Sequence, residues 1–371
     1  MTKKEVIAIL YGGKSGEHEV SLRSACSVYH HIDRSIYAPL LIGITKTGRW
    51  YLQPEKPIAP DTENLPLTAD EAALVSAVPG DGLHCRGRRL DIDAAFPVLH
   101  GTNGEDGTVQ GLLEICNIPY IGAGVLGSSL SMDKGAAKEI WASRGLSVVP
   151  FMRVEAEEFS SSSDLWPKKL KMLKDCFTPP LFVKPVRAGS SVGVSRIENW
   201  QALEKALEEA LRYDTSALVE PAVNGREIEC SVIGNFHTRS FPPGEILPSH
   251  SFYDYEAKYI DPDGAALLLP AKIDDTAAAE LRRIAEEAYR SAGVEGMARV
   301  DFFLEKESGR ILLNEINTIP GFTSISMFPR MCEAGGLPYP DLIRKMIVLG
   351  KERFEKRSRC LYSILSLSDT D

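Results

Sequence analysis

"EVIAILYGGKSGEHEVSLRSACSVYHHI", residues 5–32, decides the fold class. Val6 to Leu10 form a short apolar run that stops at Gly12-Gly13, so it reads as a buried strand ended by a turn. Beyond the turn, Ala25, Val28, Tyr29 and Ile32 recur at i, i+3, i+4 and i+7, which is one face of a helix. "YAPLLIGIT" (37–45) is a second strand. After a Pro-rich stretch at 54–66, "AAFPVLHG" (94–101) is a third strand, closed by the Gly-rich turn "HGTNGEDG" (100–107) and followed by the helix "TVQGLLEIC" (108–116). Strands alternating with helices predict a parallel sheet. The fold class is therefore α/β, with α+β character further along, and the first unit spans 1–125.

The remaining chain divides in two. Residues 129–145 read as one helix, and "FSSSSD" (159–164) as a loop or helix start. "PPLFVKPVRAGSSVGVSRI" (179–197) is strand, loop, strand. "NWQALEKALEEALRYD" (199–214) is a helix that Asn199 can cap, with Leu203, Ala206, Leu207, Ala210 and Leu211 as its apolar stripe. "SALVEPAV" and "REIECSVIGN" are strands. The central unit is placed at 126–225 and a third unit at 226–350. The third holds a helix at 281–294, the strands "GMARVDFFLE" (296–305) and "RILLNEIN" (310–317), and a last helix with Pro340 at its first position. The tail, 351–371, carries no clear signal, and no internal repeat or low-complexity tract is present.

A chain of 371 residues exceeds one ordinary core, so several units are expected. Net charge −9 argues against a nucleic-acid binder, although a local basic groove can still hold phosphates. No apolar run reaches the roughly 18 residues of a membrane span, and the N-terminus lacks a small-residue cleavage pattern. The seven cysteines are scattered without a C-x-x-C pair, which suits reduced thiols in a cytosol.

Chemistry concentrates at a few places. Side chains two apart on a strand share a face, so Arg299 and Asp301 lie together, as do Glu315 and Asn317. A turn at Glu307-Ser308-Gly309 pairs these strands into a hairpin, whose one face then carries an arginine, two carboxylates and an amide. That face is read either as a Mg²⁺ site, since this ion takes one or two carboxylates plus substrate phosphates, or as a solvated salt bridge. The Pro-Gly turn of "NTIPGFTS" directly after it favours a ligand site. "VKPVRAGSSVGVS" sets Lys184 before Gly189, Ser190, Ser191 and Gly193. Such a loop is a plain hairpin or an anion nest of backbone N–H groups, and the lysine favours phosphate. It is not a Walker A loop. In "GGKSGEHEVS", Glu17 either holds a substrate ammonium or complements the helix dipole. His18 and His100 lack metal spacing and read as hydrogen-bonded structural or substrate-adjacent side chains. "SFYDYEAKYIDPDG" (251–264) is a polar aromatic loop ending in turn residues.

Taken in order, "GGKSGEHEVS" (12–21), "HGTNGEDG" (100–107), "NIPYIG" (117–122), "SMDK" (131–134), "VKPVRAGSSVGVS" (183–195), "SFYDYEAKY" (251–259), "ARVDFF" (298–303) and "NEINTIPGFTSISMFP" (314–329) resemble the D-alanine–D-alanine ligases of the ATP-grasp superfamily. The resemblance covers about residues 4–350. It implies a three-domain ATP-grasp fold and a homodimer, while charge, the lack of a span and the scattered cysteines predict a cytoplasmic protein that binds neither nucleic acid nor membrane. It implies ATP-dependent joining of two D-alanines through a D-alanyl phosphate, for peptidoglycan precursors.

The same resemblance assigns roles by position. Asp301, Glu315 and Asn317 hold two Mg²⁺ ions, for which Mn²⁺ can substitute. Lys134, Lys184 and the 189–193 loop with Ser191 meet the ATP phosphates. Glu220, Pro221 and Val223 form the adenine hinge, in which Pro221 offers only its carbonyl, and Glu227 takes the ribose. Glu17, Ser190 and Tyr259 form a triad at the first D-alanine. Arg299 and the backbone at Gly321 form an oxyanion site, and Ser326 binds the second carboxylate. Residues 249–264 are the closing loop, from which Lys258 reaches the γ-phosphate, and an intact "EAKY" favours dipeptide over D-alanyl-D-lactate. Two rivals remain: an ATP-grasp ligase with another carboxylate and nucleophile, and a non-catalytic nucleotide-binding regulator. The latter could do without Asp301, Glu315, Asn317 or Lys184, yet all four are present.

Overall fold

The computed structural model describes residues 3–160, 164–248 and 265–361. The first strand, β1 (Glu5–Gly12), pairs in parallel with β2 (Tyr37–Ile44) and with β7 (Ala94–Val98), and β3 (Trp50–Leu52) closes one edge antiparallel. The parallel sheet expected from strand–helix alternation is present, with one antiparallel edge strand. Gly12 and Gly13 end β1 at φ +90° and +102°. A Cβ on Gly12 would stand 2.2 Å from the Ile44 carbonyl oxygen, so only glycine lets the chain turn there. The helix His18–His31 follows and buries Ala25 and Val28 against the sheet. A small sheet of β4 (Val75–Val78), β5 (Gly82–Cys85) and β6 (Arg88–Arg89) lies between β3 and β7. The sequence reading did not anticipate it, because its strands are two to four residues long and carry little periodicity.

The single helix expected at 129–145 is two helices, Val125–Met132 and Lys134–Ser143. Asp133 separates them: it leaves helical geometry at φ −82°, ψ 95°, and its carboxylate caps the second helix by accepting from the Ala136 N–H at 3.0 Å. Asn199 begins a short 3₁₀ turn, Trp200–Ala202, and makes no side-chain cap; the α-helix proper is Leu203–Ala210. Its stripe of Leu203, Ala206, Leu207 and Ala210 is buried as expected. This helix covers an antiparallel sheet ordered β10 (Ser195–Ile197), β9 (Leu181–Pro185), β11 (Ser216–Pro221), β8 (Met152–Glu155).

A third, antiparallel sheet is built on β12 (Gly225–Gly234). To one side lie β14 (Gly244–Pro248) and β15 (Ala265–Leu268), with β13 (Thr238–Ser240) pairing off the main path. To the other lie β16 (Gly296–Glu305) and β17 (Ile311–Asn317). The helix Asp275–Ser291 packs on it through Leu281, Ile284, Ala285 and Ala288, in one apolar cluster with Trp141. The last helix is Tyr339–Ser358, with Pro340 its second residue rather than its first.

Candidate active site

A cavity of about 1140 Å³ opens between the three larger sheets. One wall is the β16–β17 hairpin. Arg299 pairs with Asn317 and Asp301 with Glu315, with a bulge directly after Asp301. The expected shared face exists. Arg299 donates from Nε and Nη2 to the two Asp301 carboxylate oxygens at 2.7 Å each, and Asn317 Nδ2 donates to Asp301 Oδ2 at 2.9 Å. Glu229, buried on β12 opposite Asp301, lies 3.1 Å from Arg299 Nε. Burial opposes the charge on Arg299, but Asp301 and Glu229 outweigh it and hold the guanidinium firmly protonated.

The roof comes from the central sheet and the helix Lys134–Ser143. Lys134 Nζ donates to the Ala188 carbonyl at 2.8 Å and lies 3.4 Å from Glu315 Oε2. Lys184 and Glu220, diagonal across β9 and β11, form an ion pair at 2.6 Å. The other Glu220 oxygen accepts from Lys138 Nζ at 2.6 Å. Burial would raise the Glu220 pKa, but the two lysines hold it low. Burial lowers Lys138 to about 8 against the pull of Glu220, 2.6 Å away. Pro221, Val223 and Glu227 line the cavity beside Glu220, and the Ala222 N–H between them is already donated to the Pro180 carbonyl at 3.0 Å.

The first sheet supplies the third wall. Glu17 is buried at the start of its helix without capping it; its carboxylate accepts instead from the Ser190 hydroxyl. Ser190 and Ser191 lie at φ +49° and +59°, left-handed geometry that non-glycine residues adopt at a cost of about 1–3 kcal/mol each and that clusters at ligand sites. Glu105 accepts from the Gly101 N–H at 2.8 Å and the Ile319 N–H at 3.2 Å. Burial, and then the nearby Glu17 charge, push its pKa up to about 8. His100 joins Ser24 to the Ile319 carbonyl, and burial lowers its pKa. His18 bonds the Gly13 carbonyl and has no role in the cavity wall. Gly321 and Ser326 also line the cavity; a Cβ on Gly321 would lie 3.2 Å from Ser326 Oγ, itself 2.7 Å from the Thr323 hydroxyl.

The cavity thus gathers Glu17, Ser190, Ser191, Lys134, Lys184, Glu220, Pro221, Val223, Glu227, Arg299, Asp301, Glu315, Asn317, Gly321 and Ser326 from positions up to 309 residues apart (17 to 326). Lys258, Tyr259 and the rest of the 249–264 loop lie outside the described residues. Among the described residues no group of three His, Cys, Asp or Glu side chains is arranged for a metal. Asp301 and Glu315 with the Asn317 amide instead offer two carboxylates and one neutral oxygen, the hard donors that suit Mg²⁺ completed by substrate phosphates.

The descriptions "D-ala D-ala ligase N-terminus" and "D-ala D-ala ligase C-terminus" match residues 6–123 and 140–348. The chain is 47% identical over 362 residues to the D-alanine–D-alanine ligase of Treponema denticola, covering 94% of this chain and 96% of that one. It is 43% identical to the enzyme of the same name from Caldicellulosiruptor bescii, covering 98% and 99%.

The chain belongs to the D-alanine–D-alanine ligase family.

The solved ligase of Coxiella burnetii superposes with a TM-score of 0.81 at 34% identity, over 96% of this chain and 97% of that one. The VanG D-Ala:D-Ser ligase of Enterococcus faecalis gives 0.81 at 35%, over 94% and 100%. As in those ligases, the fold is ATP-grasp.

Lys138, Glu229 and Glu105 escaped the sequence reading. Lys138 carried a usable signal: it follows Lys134 by one helical turn, between the core residues Ala137 and Trp141, where an unpaired charge would not be tolerated. Glu105 carried none, because its partner Ile319 lies 214 residues away.

Proposed function

We propose that this protein is an ATP-dependent ligase joining two D-alanines. The γ-phosphoryl group passes from ATP to the carboxylate of the first D-alanine. The amine of the second, having lost a proton, attacks that acyl phosphate, and inorganic phosphate leaves as the amide forms. The product, D-alanyl-D-alanine, serves peptidoglycan precursor synthesis. The observation that carries this reading is one cavity lined both by cations and hard oxygen donors, Lys134, Lys184, Asp301, Glu315 and Asn317, and by a buried carboxylate, Glu17.

Such chemistry needs charge stabilisation and positioning more than covalent catalysis. Lys134, Lys184 and the loop at Ser191 bind phosphates. Glu220, Pro221 and Val223 receive adenine, and Glu227 the ribose. Glu17, held by Ser190, orients the ammonium of the first D-alanine. Arg299 and the Gly321 backbone stabilise the oxyanion of the tetrahedral intermediate, and Ser326 takes the second carboxylate. Asp301, Glu315 and Asn317 would hold two Mg²⁺ ions, with Mn²⁺ an acceptable substitute; these neutralise charge developing on the transferred phosphoryl group. Tyr259 and Lys258 complete the triad and the γ-phosphate contact by family position alone. The units are 1–125, 126–225 and 226–350. All seven cysteines are free thiols, which supports a reducing cytoplasm. No helix among the described residues is long and apolar enough to cross a membrane.

The test is ADP release with Mg²⁺ and ATP, offering D-alanine, L-alanine, or D-alanine with D-lactate or D-serine, with chromatography of the products. ADP with D-alanyl-D-alanine, from the D-amino acid only, is the expected result. ADP formation that ignores D-alanine would overturn the substrate assignment.

A further inference from the structure

Glu220 has one lysine on each carboxylate oxygen, both at 2.6 Å. The two cations are not equivalent. The Lys184 side chain is 12% exposed and faces the cavity, whereas that of Lys138 is wholly buried. Lys138 stands four residues after Lys134 on the same helix, hence one turn deeper on the same face. Its other neighbours are the Val149 carbonyl at 3.5 Å and the Phe151 ring at 5.9 Å. A buried ammonium is tolerated only beside a counter-charge, and Glu220 supplies it.

A phosphate arriving at Lys184 competes with Glu220 for its ammonium charge. Glu220 is as buried as the core around it, and a carboxylate stripped of its partner there is strongly disfavoured. With one lysine alone, Glu220 would keep Lys184 for itself and repel an incoming phosphate.

We propose that Lys138 is a positioning residue for the nucleotide: it stays with Glu220 as a permanent counter-ion and so frees Lys184 to exchange Glu220 for a phosphate of ATP. Lys138 touches no substrate; it acts through Glu220 on Lys184. The inference rests on the reading above, in which Lys184 binds the nucleotide.

Titration calorimetry with MgATP, without D-alanine, tests it on the full-length protein. Lys138→Met is expected to weaken MgATP binding about tenfold or more, comparable to Lys184→Met, because the freed Glu220 charge claims Lys184. The two substitutions together should cost little beyond either alone, since they act on one interaction. Measured against Glu220→Gln alone, which itself alters the adenine hinge, Lys138→Met should cost far less than it does beside an intact Glu220. In steady state the loss should appear in KM for ATP, with KM for D-alanine little changed. A Lys138→Met protein that is less stable to heat yet binds MgATP as before would overturn the inference while leaving the Lys184 assignment intact. Unchanged binding by Lys184→Met would overturn both. Should Lys138→Met fail to fold, the comparison moves to the Glu220→Gln background. There, removing the lysine should change affinity less than about twofold, and a tenfold loss would show that Lys138 acts by some other route.

Discussion

Single residues in this site are defined by their charged neighbours. Arg299 faces Asp301 and Glu229 and cannot release its proton, so it is a permanent positive charge at the cavity floor. On the proposed oxyanion role, Arg299→Ala is expected to lower turnover by about 100-fold or more while MgATP affinity stays within about threefold, since that role is exerted in the transition state. Paired kinetics and calorimetry check this, and near-normal turnover would refute the role. Glu105 is the opposite case, a carboxyl whose pKa rises from 4.5 to about 8 in the folded protein. Its contribution to stability is whole below about pH 4.5 and is lost as pH rises through about 8. Glu105→Gln should therefore flatten the fall in unfolding free energy between pH 5 and 8. Urea melts that decline in parallel for both proteins would contradict the raised pKa.

At the scale of elements, the β16–β17 hairpin was legible because a period of two in "ARVDFF" and "NEIN" dictates which side chains share a face whatever surrounds them. Its bulge after Asp301 was not, because nothing in the residues marks where one strand gains a position on its partner. The helix expected at 129–145 hides a break for a related reason. Asp133 caps the second helix and also accepts from the Arg153 guanidinium at 3.3 Å, a partner 20 residues on that the local pattern does not reveal. The second helix is anchored by Trp141, wholly buried, whose indole N–H donates to the Ala288 carbonyl at 3.2 Å. Trp141→Ala should cost about 3–5 kcal/mol of stability in denaturant unfolding, the usual cost of deleting a buried aromatic. A loss below about 1 kcal/mol would mean the site collapses around the cavity.

At the scale of the molecule, the closing helix Tyr339–Ser358 ties the end of the chain to its beginning. Lys351 pairs with Glu5 at 2.5 Å, Arg357 pairs with Glu114, and Arg353 donates to the Tyr120 carbonyl at 2.9 Å while lying over the Tyr120 ring. The closing helix is thus held against the first unit through contacts more than 200 residues apart in sequence. The family resemblance further predicts a homodimer. Sedimentation equilibrium should return twice the chain mass, and a single species at the chain mass would overturn the assembly.

The amino-acid sequence alone determined the α/β class, the strand–turn–helix at the N-terminus, the shared polar face of the hairpin and the family. Each of these depends on local period, turn chemistry or motif order, which are properties of neighbouring residues. Only the tertiary structure decided that Lys138 and Lys184 share Glu220, that Glu229 backs Arg299, and that Glu105 is pushed toward neutrality beside Glu17. The reason is electrostatic. A buried charge takes its state from whatever lies within a few ångströms, and here those partners come from different elements, brought together only when three sheets close around one cavity.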